Sequence, residues 1–183
     1  MPQSTALHSV MLPEASSYLV GPLARVNLCF DQLAPIAKRA AEKCGVAWPS
    51  RNNFQSIVAR AVEVIDAYEE AVAIVNSYNV EPLESRVLFN PKPGEGCHAT
   101  EAPRGLIYHR YRIGDDGLIA EAKIVPPTSQ NQGQIENDLR AYVPRVAAFD
   151  DAVATQKCEH MIRNYDPCIS CSTHFLDLRI ERG

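Results

Sequence analysis

Apolar and polar positions repeat with two different periods along this chain, and the periods divide it into helical and extended stretches. A weakly patterned lead-in closes on Tyr18-Leu19-Val20, and Gly21-Pro22 interrupts it. Beyond that point Leu23, Val26, Leu28, Cys29, Leu33, Ile36 and Ala40 recur at three- and four-residue spacing. This predicts a helix, or two joined near Pro35, closing around Gly45. A clearer helix starts after Pro49, with Ser50 as candidate N-cap. Its apolar stripe runs through Phe54, Ile57, Val58, Ala61, Val62, Ile65, Tyr68, Val72 and Val75 and stops near Tyr78-Asn79. The opposite face, with Arg60, Glu63, Glu69 and Glu70, reads as ordinary solvent exposure.

From Pro82 to Gly105 the residues are those of turns, which predicts a long loop. Two alternating segments follow, Leu106 to Ile113 and Leu118 to Val125, joined by Gly114-Asp115-Asp116-Gly117, and they read as a β-hairpin. Pro126-Pro127 cannot continue a ladder. A helix is expected from about Gln132 to Tyr142, stopping at Pro144 and resuming from about Ala147 to Ile162. The fold class is therefore mainly α with a small antiparallel β-hairpin, an α+β arrangement. The stripe of residues 54 to 75 is expected to pack in a bundle whose other helices lie outside this sequence, which predicts exposed apolar surface.

Composition narrows the function classes. At 183 residues the chain is one large domain or a piece of something bigger. Its formal charge of -4, with no run of Lys and Arg, argues against nucleic acid. Met1 to Ser17 hold no basic region followed by a long apolar run, and no stretch reaches the roughly 18 apolar residues of a membrane span. A cytoplasmic location is the expectation. Six cysteines in a chain of this length point to reduced thiols and ligands over a disulfide framework.

The chemistry concentrates in Asp166-Pro167-Cys168-Ile169-Ser170-Cys171-Ser172-Thr173-His174. Two thiols, a carboxylate before them and an imidazole after them can converge on one point of a turn. Three readings stay open from spacing alone: part of a metal site, a redox pair, or buried unreactive thiols. None of Cys29, Cys44, Cys97 and Cys158 lies in a second such pair. Arg25 reads as a solvated or salt-bridged arginine, and Arg104, between Pro103 and Gly105, sits where a loop meets a strand.

Taken together, that stretch resembles the C-terminal signature of the large, catalytic subunit of nickel-iron hydrogenases. Gly21-Pro22-Leu23-Ala24-Arg25, Glu101-Ala102-Pro103-Arg104-Gly105 and Val125-Pro126-Pro127-Thr128 resemble further motifs of that family, in the family's order. The wording of the tail is closest to the cytoplasmic, multi-subunit branch coupled to nicotinamide or a deazaflavin. The resemblance implies the helical-bundle portion of a large-subunit-like fold holding a nickel-iron centre with CO and cyanide on the iron. It implies Cys168 as a terminal nickel ligand and Cys171 as a bridging thiolate, a donor type that suits both metals. Arg104 would lie above the metals with Asp166 as its charge partner. Pro103, Pro127 and Thr128 would line the pocket, and His174 with the main-chain carbonyl near Ile124 would hold a magnesium ion. The implied reaction is heterolytic cleavage or formation of H2, with electrons passing to an iron-sulfur small subunit and diaphorase-type subunits.

The sequence departs from that pattern in one respect. The family also carries an N-terminal cysteine pair and a nearby acidic residue, and neither is present here; Cys29 and Cys44 are too far apart and read as helix-packing thiols. A centre that needs four thiolates finds two. The chain is thus expected either to be the C-terminal part of a large subunit, truncated or split, or to work only beside another chain that supplies the missing pair; alone it is expected to be inactive. Phe175 to Gly183 reads as a cleavable extension, removed by a maturation endopeptidase after nickel-insertion proteins have acted. Two alternatives are a non-catalytic metal-binding or assembly subunit that retains half of the site, and a zinc-binding module.

Overall fold

The computed structural model describes residues 11, 16–79, 85–86 and 88–167. Helices α1 (Pro22–Cys29) and α2 (Pro35–Lys43) each begin on a proline, where the missing N–H would have had no helical partner. The break near Pro35 is where the sequence places it. Helix α3 (Ser56–Ser77) supplies the caps that α2 lacks: Glu69 Oε2 accepts from the Ile36 and Ala37 amides at 2.7 and 2.8 Å, and Asp66 Oδ1 accepts from the Ala34 amide at 2.7 Å. Carboxylates at a helix N-terminus satisfy orphan donors and complement the dipole.

Ser50 does not cap α3. A short 3-10 turn, Asn53–Gln55, intervenes, and Asn52 caps it by accepting from the Phe54 amide at 3.1 Å. Ser50 instead pairs with Asn27 of α1, its amide donating to Asn27 Oδ1 at 2.8 Å while Asn27 Nδ2 donates to the Ser50 carbonyl at 2.6 Å.

The sheet has three strands and not two. β1 (Gly94–Ala102), β2 (Gly105–Ile113) and β3 (Ile119–Val125) pair antiparallel in chain order. Much of the expected loop is therefore strand. The composition of β1, Gly-Glu-Gly-Cys-His-Ala-Thr-Glu-Ala, has one β-branched residue and carries little strand propensity of its own; pairing with the β-rich β2 decides its conformation. Ala102 pairs with Gly105, so Pro103-Arg104 is a two-residue turn between strands.

Helix α4 (Pro127–Val146) starts five residues earlier than the pattern suggests and runs through Pro144. That proline lies in the last turn, where it removes one bond, to the carbonyl of exposed Arg140. Helix α5 (Asp151–Arg163) follows, capped by Asp150 accepting from the Val153 amide at 3.0 Å.

Two small cores result. Leu23, Val26, Ala37, Ala41, Ala59 and Val62 lie between α1, α2 and the first half of α3. Ile135, Met161 and Tyr165 join α4 to α5, continued by Val146, Ala154 and Cys158. The expected apolar stripe of α3 divides: Val62 is buried, beside Ala59, which lies outside the stripe, whereas Ile57, Tyr68, Val72 and Val75 are 59 to 73% exposed.

Two buried amides link α4 to the remainder. Asn131 Oδ1 accepts from the Val20 amide at 2.8 Å and Nδ2 donates to the Val20 carbonyl at 3.0 Å. Gln130 Nε2 donates to the Leu106 carbonyl at 2.5 Å and accepts at Oε1 from the Tyr18 hydroxyl at 3.2 Å. Truncating Asn131 to Ala leaves both Val20 groups without these partners and is expected to cost about 1–3 kcal/mol, read as a lowered urea midpoint at unchanged m-value.

Candidate metal centre

The segment that leads to the paired cysteines is held by the end of α5. Tyr165 and Asp166 donate their amides to the Ile162 and Arg163 carbonyls at 3.0 and 2.9 Å, which turns the chain back sharply. Tyr165 is buried among Ile135 and Met161, and its hydroxyl donates to Asp138 Oδ2 on α4. Burial, followed by that carboxylate, pushes the phenol well above its ordinary value. Asp166 then sits at φ +47, in the left-handed region that non-glycine residues enter at a cost of about 1–3 kcal/mol. Pro167 follows and is buried.

Two arginines from distant elements hold Asp166 there. Arg104 Nε donates to the Asp166 carbonyl at 3.0 Å and lies 3.1 Å from Oδ2, with Nη2 3.5 Å from Oδ1. Arg60 of α3 donates from Nη1 to Oδ2 at 2.7 Å. The pairing of Arg104 with Asp166, separated by 62 positions in sequence, is as the resemblance implies. Arg60 is the residue that sequence reasoning missed, because its i,i+3 spacing to Glu63 on a polar face looks like a self-sufficient surface pair.

Those two side chains do not meet; each reaches a different segment. Glu63 grips Arg25, with Nε to Oε1 at 2.6 Å and Nη2 to Oε2 at 2.9 Å. Arg25 continues to Glu101 Oε2 at 2.7 Å and to the carbonyls of Ala102 and Pro103 at 2.9 and 3.0 Å. Arg25 is thus salt-bridged, as the sequence suggests. Burial alone would lower its pKa; the bonds to Glu63 and Glu101 outweigh that and raise it. A cleft of about 670 Å³ opens here, lined by Arg25, Arg60, Glu63, Glu70, Glu101 and Pro103.

The glycines of the two motifs interlock beside this cluster. Gly21 at φ +114 passes so close to the β1–β2 turn that a Cβ would lie 2.8 Å from the Arg104 carbonyl oxygen. At Gly105, φ +132, a Cβ would meet the Gly21 amide nitrogen at 2.9 Å. Only glycine permits both the torsions and the approach.

The remaining expected residues form a second group on the chain joining β3 to α4. Ile124 pairs with His109 in the ladder and is 51% exposed; buried Pro127 and partly buried Thr128 form the first turn of α4. Cys168, Cys171 and His174, like the extension 175–183, lie outside the described residues. Cys29 and Cys44 are exposed and do not pack as expected, because α1 ends at Cys29 and α2 stops just before Cys44. Cys158 is a buried core thiol whose pKa burial raises. Among the described residues no group of three or more His, Cys, Asp or Glu could hold a metal, and no helix is long and apolar enough to cross a membrane.

Separated motifs thus bring two arginines, Arg60 and Arg104, onto one carboxylate, Asp166, immediately before Pro167. The nickel-dependent hydrogenase family pattern matches residues 15–174, and the chain belongs to that family. It is 31% identical over 173 residues to the NAD-reducing hydrogenase HoxS subunit beta of Cupriavidus necator, covering 89% of this chain and 35% of that one. Sulfhydrogenase 2 subunit alpha of Pyrococcus furiosus is 30% identical, with coverage of 96% and 42%. Among solved structures, an NAD+-reducing [NiFe]-hydrogenase in the H2-reduced state superposes with a TM-score of 0.70 at 26% identity, covering 87% of this chain and 36% of its own. The chain spans little more than a third of the length of these relatives.

The Tyr165 environment fixes a pH dependence. A raised folded-state pKa means that stability is intact below the unfolded value of 10.0 and declines as pH rises beyond it. Above that point the unfolded chain releases a proton that the folded chain keeps, so stability should fall by up to about 1.4 kcal/mol per pH unit. Tyr165→Phe should flatten this limb in denaturant titrations between pH 9 and 11, roughly spanning the ordinary tyrosine value.

Proposed function

We propose that this chain provides the C-terminal half of the nickel-iron centre of a multi-subunit cytoplasmic hydrogenase. The observation that carries the reading is the meeting of Arg104 and Asp166 one residue before the Pro167-Cys168 step. The donor chemistry fits: soft thiolates from Cys168 and Cys171 suit nickel and iron, and two cations lie beside the segment that presents them. The fit is to half of a four-thiolate site, so a second polypeptide segment must supply the other pair.

When bound, the nickel-iron centre, with CO and cyanide on the iron, supplies heterolytic cleavage of H2. The chain's own residues orient and tune. Arg104 holds a fixed positive charge at the turn tip, and Asp166 aims it by accepting from its guanidinium. Pro103, Pro127 and Thr128 would shape the walls, and His174 with the Ile124 carbonyl would hold a magnesium ion. An iron-sulfur small subunit and diaphorase-type subunits would be the partners that take up the electrons. Nickel-insertion proteins and an endopeptidase acting after His174 complete maturation by removing residues 175–183.

The completing polypeptide also accounts for the outer half of α3. Tyr68, Val72 and Val75, 59 to 73% exposed, form an apolar face on a helix that belongs inside a bundle. The half-set of thiols favours one second reading, a metal-binding or assembly subunit without turnover; a zinc-binding module follows the same thiols with different metal content.

Elemental analysis and intact mass of the chain purified with its partners separate these readings. Nickel with iron, a mass ending at His174 and H2-dependent dye reduction are expected. Stoichiometric zinc, or no nickel with residues 175–183 retained, overturns the catalytic reading. In the assembled enzyme Asp166→Asn should lower H2 uptake about 10- to 100-fold with nickel content retained.

A further inference from the structure

We propose that Arg25 is a positioning residue for Arg104, acting through the backbone of the β1–β2 turn. This rests on the reading of Arg104 as a group above the metal centre. Arg25 does not touch Arg104's side chain. Its guanidinium instead places five bonds on four residues: two on Glu63 of α3, one on Glu101, and one each on the Ala102 and Pro103 carbonyls.

That pattern uses the planar fork of arginine to the full, a geometry lysine cannot reproduce. The two carbonyls belong to the residues immediately before Arg104, and the turn they form has only Pro103 and Arg104 at its tip. From the other side the Gly21 backbone packs against the Arg104 carbonyl, within 2.8 Å of where a Cβ would stand. The turn is therefore held on both sides by the Gly21–Arg25 segment, five residues of one helical entry.

The same helix aims both ends of the functional pair. Glu63 fixes Arg25, and Arg60, three residues earlier on α3, bonds Asp166 at 2.7 Å. Arg25 fixes the base of the Arg104 side chain while Arg60 fixes the carboxylate that its head meets. A pure fold-stabilising role would need no link to the two carbonyls beside Arg104; Glu63 alone would already bind α1 to α3.

The test is hydrogen–deuterium exchange on the full chain, a readout that needs no metal, followed by kinetics on the assembled hydrogenase. In Arg25→Gln the amides of Ala102, Arg104 and Gly105 should exchange at least about tenfold faster, while those of α4 and α5 stay unchanged. Arg25→Lys should fail to restore protection despite keeping the charge. Should Arg25→Gln not fold, Glu101→Ala removes a single bond and should loosen the amides of residues 101 and 102 alone. In the assembled enzyme Arg25→Gln should lower kcat with KM for H2 and nickel content unchanged, and the loss should vanish in an Arg104→Lys background, where the residue positioned is already gone. Unchanged exchange at 102–105, uniform acceleration throughout the chain, or additive losses in the double variant overturns the proposal. Local loosening in a complex that binds no nickel would uphold the positioning and overturn the hydrogenase reading instead.

Discussion

The Asp166 carboxylate is the one group on which the site's geometry depends. Two guanidiniums that approach one point repel unless an anion stands between them, and Asp166 is that anion for Arg60 and Arg104. The side chains are 24 to 40% exposed, so solvent screens each pair, and an isolated surface ion pair contributes about 0–1 kcal/mol. What makes these pairs matter is their arrangement. Each arginine comes from a different element, α3 and the β1–β2 turn, and the carboxylate belongs to the segment that enters the cysteine pair. The bonds hold Asp166 in a backbone conformation that it would not choose alone.

The anion can stand there because Tyr165 is anchored first. A phenol buried between α4 and α5 and bonded to Asp138 fixes the chain one residue upstream, and Pro167 fixes a torsion one residue downstream. Between two fixed points Asp166 has little freedom left, so the arginines select among few conformations at small entropic cost. The same logic holds at the β1–β2 turn, where the crossing of Gly21 and Gly105 admits one approach only.

The sequence made the ends of this network legible and hid its middle. Arg104, Asp166 and the glycine-containing motifs stand out because their neighbours, Pro103, Gly105 and Pro167, restrict the backbone in recognisable ways. The break at Pro35 and the end of α3 near Tyr78 were readable for the same reason. Arg60 and Glu63 were not, since a charged pair on the polar face of a helix has the same local pattern whether it faces water or two distant segments. Gln130 and Asn131 were hidden likewise: a buried amide is specified by the backbone groups it meets, which no local period records. Strand β1 escaped because its pairing partner, and not its own composition, makes it extended.

Helix α3 joins these observations into one constraint. Its first half buries Ala59 and Val62 against α1 and α2, and Arg60 and Glu63 reach out to the site; its second half exposes an apolar face. A helix is stiff over this length, so a surface that covers Tyr68, Val72 and Val75 acts on the same rigid body that carries Arg60 and Glu63. A contact made on that exposed face and the alignment of the Arg104–Asp166 pair would therefore be mechanically linked through α3. The internal core of the described residues, one part among α1, α2 and α3 and the other between α4 and α5, leaves that helix supported along half its length.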